Sequence, residues 1–192
     1  MAEPPPVTPE HFDRLYASDP DPWKFATSEY ERDKYAATLA ALPRPRFARA
    51  FEVGCSIGVL TRQLAARCNA ILAVDVADAA LGGAAARCRD QSHVQFARMV
   101  VPQDWPPGAF DLILFSEVLY YLDDADRAAA ARLSLQSLSP GGAMVLVNWH
   151  GPTDGFCTGD DAAEAMIAAC APALRPVTQQ RAEKYRLDVL AA

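Results

Sequence analysis

The stretch Glu52-Val53-Gly54-Cys55-Ser56-Ile57-Gly58 joins an apolar run, Ala48 to Val53, to a helical pattern through a turn with two glycines, and Asp75 closes the next apolar run. Glycine adopts positive φ at little cost and leaves no Cβ between backbone and ligand. The helix beyond such a turn begins with unpaired N–H groups. An acid at the end of the second strand, about 20 positions downstream, accepts the hydroxyls of a ribose in nucleoside-binding folds. Together these features predict an α/β chain that binds an adenosine-type cofactor.

The rest of the chain continues the alternation. A helix is expected from Tyr30 to Leu42, ended by Pro43 and Pro45. Strand-like Ala48–Val53, Ala70–Val74, Val94–Arg98 and Phe110–Ser116 are interleaved with helical Gly58–Arg67 and Ala77–Arg89. Asp124–Ser137 reads as a helix stopped by Pro140-Gly141-Gly142, followed by a fifth strand over Ala143–Asn148. After a helix over Ala162–Cys170, two nearby strands, Arg175–Arg181 and Lys184–Leu190, form a hairpin. Such alternation predicts a doubly wound, Rossmann-like sheet, mostly parallel with a C-terminal antiparallel hairpin. At 192 residues, 51% hydrophobic and 22% charged, a single domain is expected, with residues 1–45 as an N-terminal helical lid and substrate segment and 46–192 as the cofactor-binding core.

The choice of cofactor rests on what the turn lacks. Dinucleotide sites use Gly-x-Gly-x-x-Gly, the second glycine admitting a pyrophosphate. Here Cys55 and Ser56 follow Gly54 directly, and Glu52 would repel phosphate while suiting a cation. S-adenosylmethionine carries a sulfonium and an ammonium and no phosphate, whereas a nicotinamide oxidoreductase is disfavoured. The net charge of −6 argues against a nucleic-acid partner. Five scattered cysteines without Cys-x-x-Cys spacing read as free thiols of a cytoplasmic protein, and no metal-binding pattern is present. Met1 to Pro9 lacks the charge and apolar pattern of a signal peptide, and no apolar run is long enough to cross a membrane.

Several segments together resemble the nodulation protein S (NodS) family of class I S-adenosylmethionine-dependent methyltransferases. They are Phe12-Asp13-Arg14-Leu15-Tyr16, Asp19-Pro20-Asp21-Pro22-Trp23, Tyr30-Glu31-Arg32-Asp33-Lys34-Tyr35, the Glu52–Gly58 turn, Phe110-Asp111-Leu112-Ile113 and Ser116-Glu117-Val118-Leu119-Tyr120-Tyr121-Leu122. The resemblance implies N-methylation of an amino sugar, the deacetylated glucosamine of an oligosaccharide, or a similar small amine, with a sugar deacetylase in the same pathway. An O-methyltransferase on a small metabolite and a non-catalytic cofactor-binding partner of a sugar-modifying enzyme are the alternatives. It further implies that Gly54 and Gly58 frame the methionine portion, Asp75 holds the ribose, and Met99 to Val101 cover the adenine. Many class I enzymes carry an aspartate just after the third strand for the adenine amine, where this chain has Val100, Val101 and Pro102. The expected cofactor-binding set is Trp23, Arg32, Glu52, Gly54, Ser56, Gly58, Asp75, Val76, Met99, Val100 and Ser116.

Methyl transfer to an amine needs the nucleophile held in near-attack geometry and relieved of a proton. Glu117, at the end of the fourth strand, is the first candidate for that duty, His150 at the end of the fifth the second, and Tyr120 a group that could orient the acceptor. Trp23, in an irregular segment just after Pro20 and Pro22, is expected over the cofactor or the sugar. Arg32 is the expected partner of the cofactor carboxylate, with Lys34 on a solvated face.

Overall fold

A computed structural model describes residues 7–192; the first six residues of the proline-rich start lie outside them. The apolar runs become strands β1 (Ala50–Val53), β2 (Ile71–Asp75), β3 (Val94–Arg98), β4 (Phe110–Ser116), β5 (Leu138–Trp149), β6 (Arg175–Arg181) and β7 (Tyr185–Ala191). They form one sheet in the order β3-β2-β1-β4-β5-β7-β6. The first five are parallel, and β7 enters antiparallel between β5 and β6. This is the doubly wound, mostly parallel sheet with an antiparallel end that the sequence pattern predicts.

Burial on both faces explains why the strands read as unbroken apolar runs rather than alternating ones. In β4, Leu112 and Leu114 enter one core, with Leu60, Leu64, Val145 and Val189. Ile113 and Phe115 enter the other, with Phe51, Met144, Leu146 and Met166. The helices are α1 (Pro9–Ser18), α2 (Glu29–Ala41), α3 (Val59–Leu64), α4 (Asp78–Arg87), α5 (Asp124–Ser137) and α6 (Gly159–Cys170).

Two elements differ from the sequence reading. Helix α1 is additional: proline stands in its first turn, and Phe12 and Tyr16 recur at helical spacing to pack on Ile57, Ala77 and Ala80. Strand β5 starts five residues before the expected Ala143. Leu138 already pairs with Phe110, and a register shift absorbs the Pro140-Gly141-Gly142 stretch, where Gly141 adopts φ 72°. Among the described residues, no helix is long and apolar enough to cross a membrane.

Glycine has a specific task at the start of α3. Gly58 sits at φ 74°, and a Cβ there would lie 2.9 Å from Ala84 of α4. Its absence lets α3 and α4 approach at backbone distance. Gly82, on the exposed face of α4, meets nothing within 4 Å. Gly58→Ala should therefore destabilise the fold by roughly 1–3 kcal/mol, while Gly82→Ala should stabilise it by roughly 0.5–1 kcal/mol. Urea denaturation of the two variants checks the opposite signs.

Candidate active site

In a doubly wound sheet the ligand lies beyond the carboxyl ends of the strands, where their order reverses. Here that point lies between β1 and β4, and a cleft of about 650 Å³ opens there. Its floor is the turn after β1. Gly54 at φ 81°, Ser56 at φ 49° and Gly58 at φ 74° coil the chain so tightly that a Cβ on Gly54 would meet Val118 Cγ2 at 2.2 Å. The Ser56 hydroxyl shares a 2.5 Å hydrogen bond with the Tyr16 hydroxyl, which ties α1 to the turn.

Asp75 closes β2 beside it. Its Oδ2 accepts the Ser56 N–H at 2.8 Å and its Oδ1 accepts the Ala77 N–H at 3.1 Å. Burial pushes its pKa up, and these backbone hydrogen bonds oppose the shift. Val76, Met99, Val100 and Val101 continue the wall. Where the usual acid after the third strand is missing, the structure brings in Gln103, whose amide donates to Asp126 Oδ1 at 2.9 Å, both residues lining the cleft. The Val100 N–H is already taken by Asp104 Oδ2 at 2.8 Å, so Gln103 and Asp126 are the polar groups of this wall. Asp126 comes from the first turn of α5, a juxtaposition no local spacing encodes.

The opposite end is built around Glu117. Its backbone is left-handed, φ 59°, which is rare for a residue with a side chain and turns the carboxylate into the cleft. Oε1 receives Lys34 Nζ at 2.6 Å, and Oε2 receives the Tyr120 hydroxyl at 3.0 Å and the Trp149 N–H at 2.6 Å. Lys34 also donates to Glu31 Oε1 at 3.1 Å. Burial alone would lower the Lys34 pKa, but Glu117 and Glu31 outweigh it and hold the ammonium charged. Glu31 is pushed up, because its burial exceeds the pull of Lys34. Burial and the neighbouring Glu117 drive the Tyr120 hydroxyl far above its ordinary range, so it stays protonated and donates.

Charge sets what the cleft accepts. Among its described lining residues, six carboxyls, Glu31, Asp75, Glu117, Asp123, Asp126 and Asp154, face one cation, Lys34. That lysine is already shared between two of them. A phosphate would find no free positive partner, whereas a cation enters a favourable field. Aromatic rings form the mouth: Trp23 packs at 5.6 Å from both Tyr16 and Phe25, and Phe12 lies edge-on to Tyr121 at 5.1 Å. Trp23 and Phe156 remain 40% exposed there.

The cleft thus gathers Trp23, Gly54, Ser56, Asp75, Val76, Met99, Val100, Ser116, Glu117 and Tyr120 of the expected residues. It leaves out four. Arg32 and Lys34 are two positions apart, about 200° around a helix, and the buried face of α2 is Glu31, Lys34, Tyr35 and Thr38. Arg32 consequently points outward to Asp33 and Glu29, and the lysine expected on the surface is the buried one. His150 turns away, its Nε2 3.1 Å from the Ala182 carbonyl beside the hairpin. Gly58 serves the helix contact described above. Glu52 lies mid-strand under the turn, 1% exposed, in a separate cavity of about 30 Å³ with Tyr35 and Leu60.

Burial, with a smaller push from Asp75, raises the Glu52 pKa from 4.5 to about 7. A carboxyl whose folded pKa is raised contributes stability that is complete below its unfolded pKa and disappears as pH rises through its folded one. Replacing it with the neutral isostere Glu52→Gln should remove a loss of ~3 kcal/mol accumulated across that window. Denaturant unfolding at pH 4.5 and 8 checks this: the wild type should weaken between them and the variant should do so much less.

Residues 11–184 match the family described as Nodulation protein S (NodS). A Nodulation protein S from Rhizobium tropici is 36% identical over 134 residues, 69% of this chain and 56% of that protein. The chain spans little more than half the length of the curated relatives it matches. Among solved structures, the N-methyltransferase NodS from Bradyrhizobium japonicum WM9 in complex with S-adenosyl-L-homocysteine has a TM-score of 0.80 at 26% identity, covering 95% of this chain and 96% of that one. A putative methyltransferase from Pseudomonas syringae has a TM-score of 0.75 at 33% identity, covering 86% and 100%.

Proposed function

The chain belongs to the nodulation protein S family, and from that premise we propose that it is an S-adenosylmethionine-dependent methyltransferase acting on the free amine of an amino sugar, such as the deacetylated glucosamine of an oligosaccharide, or a similar small amine. The observation that carries the reading is Glu117, fixed by three donors at the end of β4 and facing a cleft of six carboxyls to one lysine. Such a field suits both a sulfonium cofactor and an amine acceptor. The similarity to the N-methyltransferase NodS from Bradyrhizobium japonicum WM9 supports the same choice.

The residues present fit the cofactor. Gly54 lines the cleft, and its missing Cβ makes room for Val118 of the facing wall. Asp75 retains acceptor capacity beyond its two backbone hydrogen bonds and would hold the ribose. Val76, Met99 and Val100 would cover the adenine, with Gln103 and Asp126 in place of the missing acid. When bound, the cofactor supplies an electrophilic methyl group on a positively charged sulfur. The chain's own part is to align the acceptor nitrogen and keep water away, for which the aromatic mouth and helices α1 and α2 as a lid are suited. Glu117 holds the amine by hydrogen bonding, and Tyr120 and the Trp149 N–H fix its carboxylate. Trp23 and Phe156 offer flat apolar faces to a sugar ring.

Free amino groups on a glycan imply a sugar deacetylase acting earlier in the same pathway. The cytoplasm fits the five free thiols, four of them buried.

Two measurements test the proposal. Isothermal titration should show S-adenosylhomocysteine binding, weakened by about 10- to 100-fold in Asp75→Ala through loss of charge-assisted hydrogen bonds. Mass spectrometry should show a 14-Da gain on glucosamine oligomers, approximated as one methyl for one hydrogen, and none on fully N-acetylated ones. Cofactor binding with transfer only to hydroxyl acceptors would replace the amine with oxygen as the nucleophile.

A further inference from the structure

Resting on the amine-methylation reading, we infer that Glu31, and not Glu117, is the catalytic residue that takes the proton from the acceptor ammonium. Glu117 is engaged at both oxygens by a lysine, a tyrosine hydroxyl and a backbone N–H, which leaves Oε1 room for one further donor. These three donors fix the carboxylate in one orientation. It is a fixed anion that holds the amine in place.

Glu31 has the opposite surroundings. It lines the cleft yet is only 6% exposed. Lys34 Nζ lies 3.1 and 3.0 Å from its two oxygens, but Oε2 accepts no hydrogen bond among the described residues. The sequence gives this glutamate a different role, which the structure leaves unfilled. Ser28-Glu29-Tyr30-Glu31 has the spacing of a capping box, in which a glutamate at the third helical position reaches back to the N-cap N–H. Ser28 does accept the Glu31 N–H, at 3.4 Å, but the Ser28 N–H bonds the Lys24 carbonyl at 2.8 Å. The carboxyl is thereby not used to cap the helix.

The groups around Glu31 are Tyr30, Lys34 and Tyr35 on its own helix, and Glu117 and Tyr120 at the end of β4 and after it. Both carboxylates lean on one lysine, and burial raises the pKa of Glu31 against the pull of that lysine. In the step, an ammonium N–H bond breaks and an O–H bond forms on Glu31, while the electron pair stays on nitrogen as the lone pair a nucleophile would need. The carboxyl gives its proton to solvent before the next turnover.

Two readouts test the assignment. In protein labelled with ¹³C at the glutamate carboxyls and loaded with S-adenosylhomocysteine, the signal absent from Glu31→Gln should titrate above the ordinary value of 4.5; titration at or below that value overturns the inference. In turnover on glucosamine oligomers, Glu31→Gln should lower kcat/KM about 10²-fold at neutral pH. The defect should shrink above the acceptor's own pKa, where the amine arrives neutral. Glu117→Gln should stay impaired at every pH. A wild-type profile in Glu31→Gln, or recovery at high pH in Glu117→Gln alone, overturns it. The carboxyl titration needs no acceptor, so a wild-type enzyme inert towards amino sugars overturns the substrate reading while the titration still decides the assignment of Glu31.

Discussion

The buried ammonium of Lys34 organises the functional end of this fold. It reaches from α2 to the end of β4, 83 residues away in the chain, and is 2% exposed. An ion in that position tolerates desolvation only when it is matched, and removing one partner of such a pair typically costs about 3–5 kcal/mol. Two carboxylates provide the match. Helix α2 is thus fastened to the end of β4 at the point where chemistry is expected.

Much of the scaffold is legible in the sequence because it depends on local patterns. Both-sided burial makes β1, β2 and β4 continuous apolar runs, and the glycine spacing followed by Asp75 gives the first turn and the second strand end. What escapes depends on rotation about an axis or on partners distant in sequence. Arg32 and Lys34 are equally hydrophilic, and composition favours both on the surface; which one is buried depends on the phase of α2 against β4 and β7. Glu52 sits on a fully buried strand, where alternation gives no hint of facing, and its carboxyl falls under α3 instead of into the cleft. His150 lies at a strand end as expected, yet the neighbouring hairpin claims its ring. Glu31 looks like a helix cap until the Ser28 N–H is found bonded elsewhere.

The electrostatics of the cleft follow from the same economy of cations. Arg62, Arg98 and Arg181 are engaged on the outside of the fold, with Asp90, Asp13 and Asp160. The interior of the site is left to carboxyls, aromatic rings and a single shared lysine. A cleft of this kind discriminates by sign before it discriminates by shape.

Position 117 sets two demands against each other. A φ of 59° is a conformation that glycine adopts freely and glutamate does not, so backbone energetics alone would select the smaller residue. The carboxylate survives there because Lys34, Tyr120 and the Trp149 amide hold it. The site is therefore a point of trade-off, where the chain gives up intrinsic backbone stability to keep a charge at one fixed place. Improvements in stability at this strand end would tend to erode function first.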